Sequence, residues 1–318
     1  MLDIRGLHVV YRTLESDVYA INGLDLSVSE GETLGLVGET GAGKTTTALS
    51  ILKLLPDRVG FITKGEITLD GVELTKVSEA DMQMIRGNTV SMIFQDPMSS
   101  LNPVIPVGKQ VEEVLTLHRR ELSKREIDEQ VDSIFGMVGL PPSRKHEYPH
   151  QFSGGMKQRI VIAIALSCQP KLLLADEPTT ALDVTIQAQV LDMMRDLKEK
   201  LRTSMILITH DLGVVAELCD RVAIMYAGEI IEMGSIDDLY GTGDKHPYTE
   251  GLFGSLPSLT GDERRLHPID GLMPDPTSLP QGCKFYERCP KRTGHCEAEA
   301  PALNVSGTHS VRCRLFAG

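Results

Sequence analysis

The sequence predicts an α/β fold: one large unit with a sheet flanked by helices, followed by a small irregular C-terminal appendage. Three observations predict it. An apolar run at 33–37 leads into Gly38-Glu39-Thr40-Gly41-Ala42-Gly43-Lys44-Thr45 and then a helical pattern at 46–55. Near-continuous apolar runs at 171–175 and 205–209 read as parallel strands covered on both faces. From Leu256 onward periodicity gives way to Pro, Gly, Cys and Arg.

The elements follow in order. Residues 2–11 and 18–29 alternate apolar and polar side chains, as antiparallel strands do. A strand over 65–69 turns at Asp70-Gly71, and a short strand over 90–94 ends at Gln95. Residues 107–139 read as helical with one polar face. A helix over 153–167 takes Ser153 as its N-cap, and another opens near Val184. The composition shift places a boundary close to 240–255, giving domains at 1–245 and 246–318.

Bulk properties narrow the function. At 318 residues the chain exceeds one ordinary core, and its net charge of −12 carries no basic block. Nucleic-acid binding rests on neutralising phosphates, so no nucleic-acid partner is expected. The N-terminus lacks a signal pattern. Apolar runs, of which 160–168 is among the longest, fall short of the roughly 18 residues a bilayer span needs. A cytoplasmic chain that reaches a membrane only through partner subunits is expected.

The glycine-rich stretch fits the phosphate-binding pattern G-x-x-x-x-G-K-[ST] in its required strand–loop–helix setting. Gly38, Gly41 and Gly43 let backbone N–H groups converge on phosphate oxygens, beside the helix N-terminus that Thr46 continues. Lys44 is expected to reach the β- and γ-phosphates of a nucleotide, and the Thr45 hydroxyl to hold Mg²⁺. The run Leu172-Leu173-Leu174-Ala175-Asp176-Glu177 ends in two acids at the carboxyl end of a strand, where such sheets bind ligands. Asp176 is expected to hold Mg²⁺ and Glu177 to polarise the attacking water.

Phe152-Ser153-Gly154-Gly155-Met156, followed by Lys157-Gln158-Arg159, resembles the signature sequence of ABC-type ATPases. The usual outer residues are Leu and Gln, so this chain departs from the pattern at Phe152 and Met156 and keeps Ser-Gly-Gly. Phe94-Gln95-Asp96-Pro97 resembles the Q-loop, Thr180-Ala181-Leu182-Asp183 the D-loop, and Thr209-His210-Asp211 the switch histidine. The resemblance covers roughly residues 1–240. It implies a P-loop ABC-type ATPase domain with a mixed sheet core, an antiparallel β subdomain and a helical subdomain. It also implies that Gln95 contacts Mg²⁺ or water, that Asp183 shapes a dimer interface, and that His210 contacts the γ-phosphate. The resemblance further implies that Ser153, Gly154 and Gly155 face the ATP of a second subunit. Tyr11 lies where the family stacks an aromatic on adenine; Tyr19 is the second candidate, and a plain core role for Tyr11 stands beside both.

Four of the six cysteines, Cys283, Cys289, Cys296 and Cys313, fall at C-x5-C-x6-C-x16-C in a segment with little periodicity. Cys168 and Cys219 sit in apolar surroundings and read as core. An aperiodic segment needs a staple, and in a reducing compartment disulfides are disfavoured. Four thiolates suit Zn²⁺ or an iron–sulfur cluster; unliganded thiols and a transient disulfide stand as alternatives. His246-Pro247-Tyr248-Thr249, Leu279-Pro280-Gln281-Gly282-Cys283-Lys284-Phe285 and Arg288-Cys289-Pro290 resemble the C-terminal region of dipeptide/oligopeptide importer ATPases, which implies a [4Fe-4S] cluster at those four cysteines. It also implies peptide import, with nickel or oligosaccharides as alternative cargo. The implied partners are a second ABC ATPase subunit, either related or identical, two transmembrane permease subunits and an extracytoplasmic substrate-binding protein, with this chain peripheral on the cytoplasmic face of the membrane. A soluble ABC ATPase acting on ribosomes or DNA is the competing class, and a metal-dependent sensor a third.

Overall fold

Strands in a computed structural model of the chain fall where alternation and apolar runs place them, with instructive departures at their ends. Residues 1–96, 100–180, 182–255 and 269–316 are described. Pro97 of the Q-loop segment, Ala181 of the D-loop segment and the start of the aperiodic stretch at Leu256 lie outside them. The chain divides into two compact units, one formed by Leu2–Ser27, Leu34–Thr75 and His210–Gly318, the other by Val28–Thr33 and Lys76–Thr209 with Met1.

In the first unit β1 (Leu2–Arg12) lies between β2 (Asp17–Val28) and β4 (Gly60–Leu69), with β5 (Val72–Glu73) at the edge. β1 and β4 are antiparallel, pairing Leu2 with Leu69 and Ile4 with Ile67. β4 starts five residues before its expected start at Gly65. Residues 60–64 are mostly exposed and carry little apolar pattern, and they are strand because β1 pairs with them. The Asp70-Gly71 turn has both φ values positive, +47° and +78°, the hairpin geometry that an Asp-Gly pair favours.

A second sheet in this unit begins with β3 (Thr33–Val37), parallel to β9 (Arg221–Tyr226). β10 (Glu229–Ser235) returns antiparallel after the Ala227-Gly228 turn. The C-terminal hairpin β11 (Asn304–Ser306) and β12 (His309–Val311) adds to β10, pairing Glu232 with Val311. The C-terminal segment is thus built onto the same sheet that carries the glycine-rich loop.

In the second unit β6 (Val90–Ile93), β7 (Leu172–Asp176) and β8 (Ser204–Ile208) run parallel in that order. All five residues of β7 and of β8 are buried, which explains their unbroken apolar sequence. The expected helical stretch 107–139 is two helices, Val107–His118 and Lys124–Met137. The break has a local cause: the Ser123 hydroxyl accepts from the Glu126 N–H while the Glu126 carboxylate accepts from the Ser123 N–H, a capping box that starts a new helix. No described helix is long and apolar enough to cross a membrane. Cys168 and Cys219 are buried, as read.

Candidate functional site

The glycine-rich loop joins β3 to the helix Lys44–Ile51, whose N-cap is Gly43 at φ +108°. Gly41 also lies in the left-handed region, at +86°. A Cβ on Gly38 would collide with the Met225 carbonyl oxygen, and one on Gly43 would sit 2.7 Å from the Ala20 carbonyl oxygen. The first and third glycines are therefore required by close approach of backbone. No side chain caps the helix start, and a helix N-terminus favours an anion.

Lys44 is buried and donates from Nζ to the carbonyls of Gly38, at 2.7 Å, and Glu39, at 3.0 Å. Thr45 is exposed at the first turn. The Tyr11 hydroxyl lies 3.1 Å from the Thr46 hydroxyl, so the aromatic candidate is fastened beside the loop; Tyr19 is half-exposed and donates its N–H to the Pro276 carbonyl at 2.9 Å. The Ala42 carbonyl accepts from the Gly228 N–H at 2.9 Å. The Glu39 N–H donates to the Tyr248 hydroxyl oxygen at 3.0 Å, and its carboxylate accepts from Arg288 at 3.0 Å. His210 is exposed, and Asp211 caps the helix Leu212–Leu218 by accepting from the N–H groups of Gly213 and Val214.

In the other unit Asp176 ends β7 and is 3 % exposed. Glu177 follows at φ +47°, a conformation costing a non-glycine residue on the order of 1 kcal/mol. Its N–H is held by the Ile208 carbonyl at 2.8 Å, which fixes that geometry. The Glu177 carboxylate accepts from Gln95 Nε2 at 3.1 Å and from the Thr180 hydroxyl at 2.9 Å. Two of the expected catalytic residues, 82 positions apart, are thereby in contact.

Ser153 occupies the N-cap of the helix Gly154–Leu166, but its side chain accepts no capping hydrogen bond, contrary to the expected cap. With Gly154 and Gly155 next in line, hydroxyl and backbone donors lie together at a helix start. Gly155 is needed because a Cβ there would strike Ile186. Buried Gln158 donates to the Pro178 carbonyl and so ties this helix to the Glu177 segment. Asp183 caps the helix Val184–Leu201, accepting from the Ile186 N–H at 3.0 Å. Phe152, where the signature usually has Leu, is buried, and the Arg144 guanidinium lies 4.3 Å from its ring centroid. Gln158, Tyr248 and Arg288 were not singled out from sequence as site residues; all act through contacts with residues distant in the chain.

Cys283, Cys289, Cys296 and Cys313 line one cavity of about 200 Å³, with His246 and Phe285 among the other walls. No disulfide joins them. The Cys283 sulfur accepts from the Phe285 N–H, Cys289 from Lys291 and Cys313 from Leu315, each two residues on. The Thr293 hydroxyl lies 3.3 Å from the Cys296 sulfur. Burial pushes the Cys283 thiol up to about 11 and raises Cys289 and Cys313 as well. A bound cation would reverse that, because it favours thiolate. Among the described residues no group of three or more His, Cys, Asp or Glu is drawn together tightly enough to hold a metal ion; the thiols share walls and donors rather than a closed coordination shell.

Comparison with known proteins gives consistent results. Residues 21–180 match the family described as "ABC transporter", and residues 231–296 match "Oligopeptide/dipeptide transporter, C-terminal region". The chain is 48 % identical over 320 residues to the oligopeptide transport ATP-binding protein AppD of Bacillus subtilis, covering 99 % of this chain and 97 % of that protein. It is 47 % identical to the dipeptide transport ATP-binding protein DppD of the same organism, covering 99 % and 94 %. The dimeric ATP-binding cassette MJ0796, solved in a post-hydrolysis state with ADP and Pi, superposes with a TM-score of 0.66 at 27 % identity, covering 74 % of this chain and 99 % of that one.

Proposed function

This chain belongs to the ABC transporter ATP-binding family, in the branch carrying the oligopeptide/dipeptide C-terminal region, and we propose that it is the ATP-hydrolysing motor of a peptide importer. The glycine-rich loop carries the reading: two glycines admitted by close backbone contacts, an uncapped helix start and a buried lysine form a phosphate cradle. The partners are two membrane permease subunits, a substrate-binding protein and a second ATPase subunit, related or identical. The chain itself is peripheral on the cytoplasmic face of the membrane.

Lys44 and the amides at Gly41 and Gly43 neutralise the β- and γ-phosphates of ATP, while Thr46 and Tyr11 border the nucleotide. Thr45, Asp176 and Gln95 are the residues that would hold Mg²⁺ through oxygen donors, and the ion would supply charge neutralisation on the phosphates. Glu177, steadied by Gln95 and Thr180, orients the attacking water, and His210 senses the γ-phosphate. Ser153, Gly154 and Gly155 complete the partner subunit's site on closure, with Asp183 at the seam. Positioning and charge stabilisation perform the catalysis; the closure that follows γ-phosphate occupancy is the mechanical output.

The four-cysteine segment holds a [4Fe-4S] cluster, with Zn²⁺ as the alternative. That reading rests on four thiols lining one cavity, three of them accepting a backbone N–H, as thiolate ligands do. Bound there, such a centre supplies a cross-link for a segment with little apolar core.

Glu177→Gln tests the catalytic assignment. In the complex with its permease subunits it retains ATP binding and loses most turnover; turnover at the wild-type rate would remove Glu177 from its role.

A further inference from the structure

The segment 283–289 is anchored at both ends on the base of the phosphate loop. At one end Lys284 donates to the Ala227 carbonyl at 3.0 Å and pairs with Glu229 at 2.8 Å. The adjoining Gly228 N–H holds the Ala42 carbonyl at 2.9 Å. At the other end Arg288, whose side chain is 5 % exposed, meets the Glu39 carboxylate at 3.0 Å. Its Nε donates to the Asp270 carbonyl at 3.0 Å, its Nη2 to the Ile269 carbonyl at 3.3 Å and its Nη1 also to the Tyr226 hydroxyl oxygen at 3.4 Å, and its guanidinium lies 5.8 Å from the Tyr226 ring centroid. These hydrogen bonds orient the guanidinium so that Nη1 faces Glu39.

Glu39 is an awkward residue for a phosphate cradle. It is the second residue of the loop and negatively charged, and its carbonyl is one of the two that hold the Lys44 ammonium. An uncompensated carboxylate there repels the triphosphate. One left to move disturbs the backbone that aims Lys44.

We propose that Arg288 is a positioning residue for the phosphate loop: it neutralises and fixes Glu39, and so makes the C-terminal segment part of the nucleotide site. The inference rests on the reading of this loop as an ATP site. Charge is the property that separates it from a merely structural contact, because a fold that needed the ion pair would be worsened by removing both partners.

The test uses the full-length chain, a fluorescent ATP analogue followed by anisotropy, and melting of the nucleotide-free protein. Arg288→Gln weakens analogue binding about tenfold, the scale on which groups in one hydrogen-bonded network couple. Arg288→Lys, which keeps the charge but not the guanidinium's fixed fork of donors, loses less than Arg288→Gln does. Glu39→Gln placed on Arg288→Gln restores most of the lost affinity. Wild-type affinity in Arg288→Gln, or a double variant as weak as the single one, overturns the proposal. If Arg288→Gln does not fold, Arg288→Lys decides: a loss of analogue binding that Glu39→Gln restores supports the proposal, and no loss, or a loss that Glu39→Gln leaves in place, overturns it. Failure of the wild-type chain to bind the analogue strikes instead at the ATP reading, so the two failures are distinguishable.

Discussion

Tyr248→Phe isolates one atom of the arrangement beneath the phosphate loop. Tyr248 is fully buried; its ring lies 4.7 Å from that of Tyr226 and 5.4 Å from that of Phe285, centroid to centroid. Phenylalanine keeps those contacts and removes only the hydroxyl oxygen that accepts the Glu39 N–H at 3.0 Å. The amide then has no acceptor in place of the one lost, and a buried polar group left unmet costs about 1–3 kcal/mol. Because the penalty falls on the folded loop, the opening free energy of that amide drops by the same amount. Exchange at Glu39 should therefore accelerate about five- to 150-fold, by the usual conversion of that range. The assay is amide hydrogen exchange on a peptide spanning Glu39, with Tyr240→Phe as control. That substitution also deletes a part-buried hydroxyl, which donates to the Leu212 carbonyl at 2.5 Å, but away from the loop. Unchanged exchange at Glu39 in Tyr248→Phe would refute the reasoning, as would equal acceleration in the Tyr240→Phe control, which would signal a general loosening.

Two further outcomes are expected. Protein purified without oxygen should contain about four iron and four sulfide per chain, falling on Cys289→Ser; about one zinc would make the segment a plain staple, and no metal at all would sink the thiolate-centre reading. His246 is 2 % exposed, and burial pushes its imidazole down to about 4 from 6.5. A histidine held below its unfolded value contributes its full share above pH 6.5 and loses it as pH falls toward 4, a swing of about 3 kcal/mol. His246→Asn can still accept the Tyr248 N–H that His246 Nδ1 accepts at 3.0 Å. Urea titrations from pH 7.5 to 4 should show the advantage of wild type over this variant shrinking across that window; parallel curves would count against it.

What the sequence made legible was local chemistry. The phosphate loop could be read because its demands fall on adjacent residues: glycines at Gly38 and Gly43 where backbone crowds in, then a lysine and a threonine at a helix start. β7 and β8 were legible because burial on both faces leaves only apolar side chains. Less was legible where a partner decides. Residues 60–64 have no convincing strand pattern, yet they are strand because β1 runs beside them. The break between residues 107 and 139 had a local signal, Ser123 followed three positions later by Glu126, and a continuous helical pattern masked it.

Arg288 is the extreme case. Nothing near it in sequence announces that it faces Glu39, 249 positions away. In sequence it reads only as part of the Arg288-Cys289-Pro290 motif that carries the family resemblance, with no role of its own. Only the way β12 pairs with β10, and Lys284 settles on the Ala227 turn, carries it to the loop. The tail thus lacks hydrophobic periodicity because it does not build a core of its own. Phe285, one of its aromatic residues, packs against Tyr226 and Tyr248, and its basic residues Arg288 and Lys284 reach Glu39 and Glu229, on or beside the sheet that bears the phosphate loop. A segment organised by thiols and by docking onto another surface has no reason to show the periods of helix or strand, and this one shows neither.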